Sequence, residues 1–80
     1  MRLPRQVNGD ELAHRLRVLG YTITRQTGSH LRVTTLKPGE YHVTIPLHRP
    51  LRVGTLAAIL TEIAAFHSLT RDELVALLFT

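Results

Sequence analysis

The sequence contains no cysteine, and this absence excludes several classes of protein. Disulfide frameworks, thiolate metal sites and cysteine nucleophiles all require that residue. Small secreted domains usually carry disulfides, so a chain of 80 residues without cysteine favours a reducing, cytoplasmic setting. No apolar run approaches the roughly 18 residues of a membrane span, and the N-terminus lacks the apolar stretch of a signal peptide. We therefore expect no membrane partner.

Acidic residues are also scarce. Six Asp and Glu stand against ten Lys and Arg, which gives a formal net charge of +4, and nine of the ten basic residues are arginine. Residues 1–56 carry nine basic and three acidic side chains, whereas residues 57–80 carry one and three. Because the arginine fork suits bidentate phosphate contacts, the basic part predicts binding to a polyanion. Ordinary solubility is the alternative explanation for this charge.

Hydrophobic spacing predicts one helix followed by three strands. Leucines at helical spacing behind a good N-cap residue indicate a helix over Asn8–Leu19, ended by Gly20. Polar and apolar residues then alternate in three segments, which are Tyr21–Arg25, His30–Leu36 and Tyr41–Leu47. The short turns between them predict an antiparallel sheet with one apolar and one polar face.

Two further helices complete the pattern. One begins at Gly54 and Thr55, ends near Phe66 and has the apolar stripe Leu56, Ile59, Leu60 and Ile63. A short closing helix begins at the capping box of Thr70 and Glu73, and its apolar residues are Leu74, Leu77 and Leu78. The order α-β-β-β-α-α predicts an α+β fold in which residues 1–80 form a single domain. Its three-stranded sheet is expected to carry the helices on the apolar face.

Histidines are the strongest candidates for chemistry, because the acidic residues mostly stand at helix starts and in turns. Alternation places His30 and His42 on the polar sheet face, where adjacent strands would bring them close, and His48 begins the next loop. No HxH or HExxH spacing is present, so no metal site is predicted. A histidine beside Arg32 can move protons near neutral pH, which suggests metal-free RNA cleavage with the 2′-hydroxyl as nucleophile. A polar face with scattered histidines is the alternative.

Three blocks in the chain resemble the HicA-type toxins, also called the YcfA family. They are Gly28-Ser29-His30, the run Val43-Thr44-Ile45-Pro46-Leu47-His48, and Gly54-Thr55-Leu56 with Ile59-Leu60. The resemblance implies a double-stranded-RNA-binding-like fold and an mRNA interferase of a type II toxin–antitoxin system. It further implies an RNA substrate and a HicB-type antitoxin encoded beside the toxin. Because a histidine can accept and donate protons without a cofactor, we expect none.

The resemblance also assigns roles to residues. The family's catalytic histidine falls on His30, and its second histidine falls on His48. His48 is therefore an auxiliary candidate, and His42 is a second one because alternation places it on the polar sheet face. RNA contacts are expected from Gly28 and Ser29 of the motif and, because of their charge, from Arg32, Arg49 and Arg52. The alternative is an inactive RNA-binding or protein-docking module of the same fold, in which Gly28 only supplies a positive φ and Ser29 a local hydrogen bond.

Overall fold

The computed structural model describes residues 3–80 and has the predicted order of elements. In chain order these are α1 (Gly9–Arg15), a 3-10 turn (Leu16–Leu19), β1 (Thr22–Gln26), β2 (His30–Thr35), β3 (Tyr41–Pro46), α2 (Val53–Phe66) and α3 (Arg71–Phe79). Among these residues no single helix is long and apolar enough to cross a membrane. The helices α2 and α3 reach that length only as a pair bent by 103°.

The first helix begins and ends as its sequence predicts. Asn8 is extended at the N-cap, and its N–H donates to Glu11 Oε1 at 3.4 Å, which is one half of a capping box. The predicted last turn tightens to 3-10 geometry before Gly20. Gly20 has a φ of 84°, a left-handed conformation that glycine adopts without strain.

The sheet has the antiparallel order β1-β2-β3 and confirms the predicted α+β class. In β2 and β3 the alternation is as predicted, because Leu31, Val33, Val43 and Ile45 are all at most 3 % exposed. They face α1 and α2, which pack on the same side of the sheet. The opposite side, the open face, carries the other polar residues of these strands, whereas polar Thr35 of β2 is buried on the helix side, where its Oγ1 donates to the carbonyl of Leu19 at 3.0 Å.

The helices bury the predicted apolar stripes in one cluster. In α2 the buried side chains include Leu56, Ile59, Leu60 and Ile63. The short helix α3 departs from the prediction at one position. Leu74 and Leu78 are buried, but Leu77 is 45 % exposed and Val75 is buried instead. The capping box that starts α3 is complete, because Thr70 N–H donates to Glu73 Oε1 at 2.8 Å and Glu73 N–H donates to Thr70 Oγ1 at 3.0 Å.

A buried tyrosine links the start of the sheet to the end of α2. The hydroxyl of Tyr21, a side chain that is 1 % exposed, lies 3.0 Å from His67 Nε2. Burial, with smaller contributions from Tyr41 and Glu62, raises the pKa of Tyr21 to about 12. Burial also lowers the pKa of His67 below its ordinary value of 6.5. This contact fixes the α2–α3 corner against the first strand.

Candidate active site

His30 stands at the first position of β2 with its side chain exposed on the open face. The turn before it is held by Thr27, whose Oγ1 accepts from His30 N–H at 3.1 Å and whose N–H donates to the carbonyl of His30 at 2.9 Å. Ser29 Oγ lies 2.9 Å from His30 Nδ1. Its neighbour therefore orients the imidazole through Nδ1, and among residues 3–80 no group forms a hydrogen bond with Nε2.

Gly28 occupies open space in the same turn. A Cβ added there would meet no atom within 4 Å. Among residues 3–80 the glycine with a positive φ is Gly20, so the suggestion that Gly28 supplies a positive φ to the turn is wrong. The fold itself does not require glycine at this position.

Arg32 lies two residues beyond His30 along the same face of β2, with Thr44 of β3 paired beside it. The side chain of Arg32 is half-buried, and its Nε is buried without a hydrogen-bond partner among residues 3–80. Within the same range no carboxylate forms an ion pair with Arg32. A positive charge thus stands two residues from His30, with no carboxylate partner in the part of the chain that the structure describes.

Sequence reasoning missed Arg25, which pairs directly with Arg32 from strand β1. Strict alternation would have turned Arg25 toward the helices with Tyr21 and Ile23. A β-bulge between Ile23 and Arg25 reverses the side chain, and a bulge at this point has no signal in the sequence. Arg25 is exposed.

His42 lies away from His30. In the observed register His30 pairs with Pro46, whereas His42 pairs with Thr34. The two histidines are therefore four residues apart along the strands, or about 13 Å, and the expectation that they lie close is wrong. His42 Nδ1 contacts Thr34 Oγ1 at 2.7 Å and its Nε2 contacts Glu40 Oε2 at 2.9 Å, so both ring nitrogens have partners.

The loop after β3 begins at the end of the sheet where His30 stands, because Pro46, the last residue of β3, pairs with His30. Leu47 N–H donates to the carbonyl of Ser29 at 2.8 Å, and exposed His48 follows. Arg49 extends toward α1, where its guanidinium forms an ion pair with Asp10 at 2.5 Å. Arg52 is exposed at the N-cap of α2. His48 is thus the auxiliary candidate at the end of the sheet nearest to His30.

Within residues 3–80 no group of three or more histidine, cysteine, aspartate or glutamate side chains is arranged to hold a metal ion.

The family comparison agrees with the motif that contains His30. Residues 9–64 match the family described as the HicA toxin of bacterial toxin–antitoxin systems. The chain belongs to the HicA toxin family. The matched range contains all three strands, the Gly28-Ser29-His30 motif and most of α2. No curated protein and no solved structure matches the chain significantly.

Proposed function

We propose that this HicA-family protein is an mRNA interferase, a metal-independent endoribonuclease that cleaves mRNA in the cytoplasm and so inhibits translation. The observation that carries the proposal is the exposed His30 imidazole, which Ser29 orients within a motif inside the matched range, two residues from Arg32, an arginine without a carboxylate partner among residues 3–80. A base, a cationic group and an uncovered surface are what transesterification of RNA requires from a protein.

The proposed reaction begins at the ribose 2′-hydroxyl. In the tautomer in which His30 Nδ1–H donates a hydrogen bond to Ser29 Oγ, Nε2 has a free lone pair that accepts the proton of the 2′-hydroxyl. The 2′-oxygen attacks the adjacent phosphorus, and the bond to the 5′-oxygen breaks. The products are a 2′,3′-cyclic phosphate and a free 5′-hydroxyl.

We propose two further roles for the residues around His30. Arg32 stabilises the charge that builds on the phosphoryl oxygens, a role for which Arg49 is less suited because it is paired with Asp10. The leaving 5′-oxygen takes its proton from His48 or from water, since His42 lies at the other end of the strands.

The test compares cleavage by wild-type protein, His30→Ala, and His14→Ala as a control that removes an exposed histidine from α1. Loss of a general base slows reaction by about 10²–10⁴-fold, so His30→Ala should bind RNA and cut it far more slowly, while His14→Ala keeps full activity. Wild-type cleavage should persist in EDTA and fail when the scissile ribose lacks its 2′-hydroxyl. Cleavage of that deoxy substrate, or loss of activity in EDTA, contradicts the mechanism. RNA binding without cleavage by the wild type indicates the inactive binding module instead.

The family implies an antitoxin partner, which we propose to be a small acidic HicB-like protein that covers the open face and the Arg49–Arg52 loop. The support is charge, because nine of the ten basic residues lie within residues 1–56. The partner should compete with RNA for the His30→Ala protein in an equilibrium binding assay. A complex that still binds RNA with unchanged affinity contradicts steric masking.

A further inference from the structure

The β-bulge in β1 decides which way Arg25 faces. Ile23 pairs with Val33 and Arg25 pairs with Arg32, which leaves Thr24 as the extra residue. Directly paired residues share one face of a sheet, so Arg25 lies on the open face with Arg32. The next residue, Gln26, lines a cleft beside α1 together with Ile23. Ile23 and Gln26 therefore lie on the side of the sheet that faces the helices, whereas Arg25, between them in the chain, lies on the open face.

A hydrogen-bonded chain on the open face holds the bulge. Thr24 Oγ1 lies 2.8 Å from Thr34 Oγ1, and it donates to the carbonyl of Arg32 at 3.3 Å. Thr34 Oγ1 continues to His42 Nδ1, and His42 Nε2 continues to Glu40. These contacts give the extra residue polar partners on the side of the sheet away from the core. His42 thus belongs to a network that supports β1.

Arg25 and Arg32 place two positive charges side by side with no acidic partner among residues 3–80. Like charges directly opposite each other destabilise a sheet. Among residues 3–80 neither Arg25 nor Arg32 forms an ion pair with a carboxylate, whereas Arg15 and Arg49 do. Two guanidinium groups on one open surface offer several donors to a single anion, and phosphate accepts such contacts well.

We propose that Arg25 joins Arg32 in a two-arginine clamp that holds the phosphodiester of the substrate RNA cleaved at His30. The clamp rests on the proposed ribonuclease function, because it assigns an RNA contact to the same surface. Within it Arg25 binds phosphate directly. Thr24 is a positioning residue that acts through the bulge.

The test measures binding of a short, fluorescein-labelled, single-stranded RNA of mixed sequence to the non-cleaving His30→Ala protein. Arg25→Ala should weaken binding about tenfold or more, because charged hydrogen bonds to phosphate are lost. The slope of log K against log salt should also fall by about 0.7, the value expected for one phosphate contact on single-stranded nucleic acid. Arg71→Ala is the matched control, since it removes the same charge from an exposed position on α3. It should change both quantities little.

Further variants test whether the forked guanidinium of Arg25 and its positioning by the bulge matter for binding. Arg25→Lys keeps the charge but loses the fork, so the salt slope should stay near that of the parent while affinity falls. Thr24→Val removes the hydroxyl that holds the bulge and should lose part of the affinity, which Thr24→Ser should restore. Circular dichroism of each variant checks that the sheet is intact.

The outcomes separate the clamp from the proposed function. Equal affinity and equal salt slope for Arg25→Ala and Arg71→Ala overturn the clamp, and cleavage that still depends on His30 then leaves the ribonuclease standing. If the His30→Ala protein binds no RNA and the wild type cleaves none, both proposals are wrong.

Discussion

Replacement of Gly9 by alanine should be among the most damaging small changes in this protein. Gly9 is the first residue of α1 and is buried against the end of β3. A Cβ at this position would lie 2.0 Å from the carbonyl oxygen of Pro46 and 3.3 Å from the Cα of Leu47. Both neighbours are backbone atoms, so neither can rotate away as a side chain would. The helix and the strand would have to separate by more than 1 Å to reach an ordinary contact of about 3.5 Å.

The expected loss has two parts. Overpacking of a tight contact costs about 1–3 kcal/mol. The separation also lengthens the hydrogen bond from Gly9 N–H to the carbonyl of His48, now 3.0 Å, and a broken backbone hydrogen bond costs about 1–3 kcal/mol more. We therefore expect Gly9→Ala to lower the free energy of unfolding by about 2–6 kcal/mol. In a domain of this size that corresponds to a Tm lowered by roughly 10 °C or more.

The assay is urea and thermal unfolding followed by circular dichroism, with Gly54→Ala as the matched control. Gly54 lies in the first turn of α2, and an added Cβ would meet nothing within 4 Å. Alanine there should raise stability by about 0.5 kcal/mol, because it is the better helix former and restricts the unfolded chain. A Gly9→Ala protein within about 0.5 kcal/mol of wild type would refute the claim that α1 and the end of β3 are in rigid contact.

Two more predictions concern the helical layer. Burial lowers the pKa of His67 below 6.5, so the unfolded chain binds a proton at His67 more readily than the folded chain does. The contribution of His67 to folding stability is therefore fully present above pH 6.5 and is lost as the pH falls through the lowered pKa. The free energy of unfolding, measured from denaturation curves, should differ less between pH 8 and pH 5.5 for His67→Gln than for wild type. An equal difference in the two proteins contradicts this assignment. Thr70→Ala removes the acceptor of Glu73 N–H and should cost about 1 kcal/mol in urea unfolding, whereas Thr70→Ser should cost little.

The sequence predicts most of the fold because its local signals agree with one another. Alternation in β2 and β3 places His30 on the open face and Val33 in the core, as observed. The caps at Asn8 and Thr70 and the glycine after the first helix mark helix ends through side-chain and backbone chemistry that acts within a few residues. Such signals need no knowledge of distant partners.

The features that sequence reasoning missed depend on pairing between strands. The separation of His30 from His42 is set by the β2–β3 register, which alternation alone does not fix. Arg25 reaches the open face only because Thr24 is the extra residue of a bulge. Ile23 shares the side of the sheet with Val33, yet it is 54 % exposed because the helices leave this part of the edge strand uncovered. Each of these outcomes requires knowing which residues stand opposite each other.

The bulge in β1 also affects how copies of the protein meet. A three-stranded sheet has two edges, here β1 and β3, and an edge with free backbone groups can pair with another chain. Along β1 the bulge interrupts the regular spacing of those groups, and Arg25 adds charge. Along β3 the last residue is Pro46, which has no N–H to donate. Both edges are therefore poor templates for a fourth strand. This disfavours edge-to-edge assembly of the protein into larger sheets.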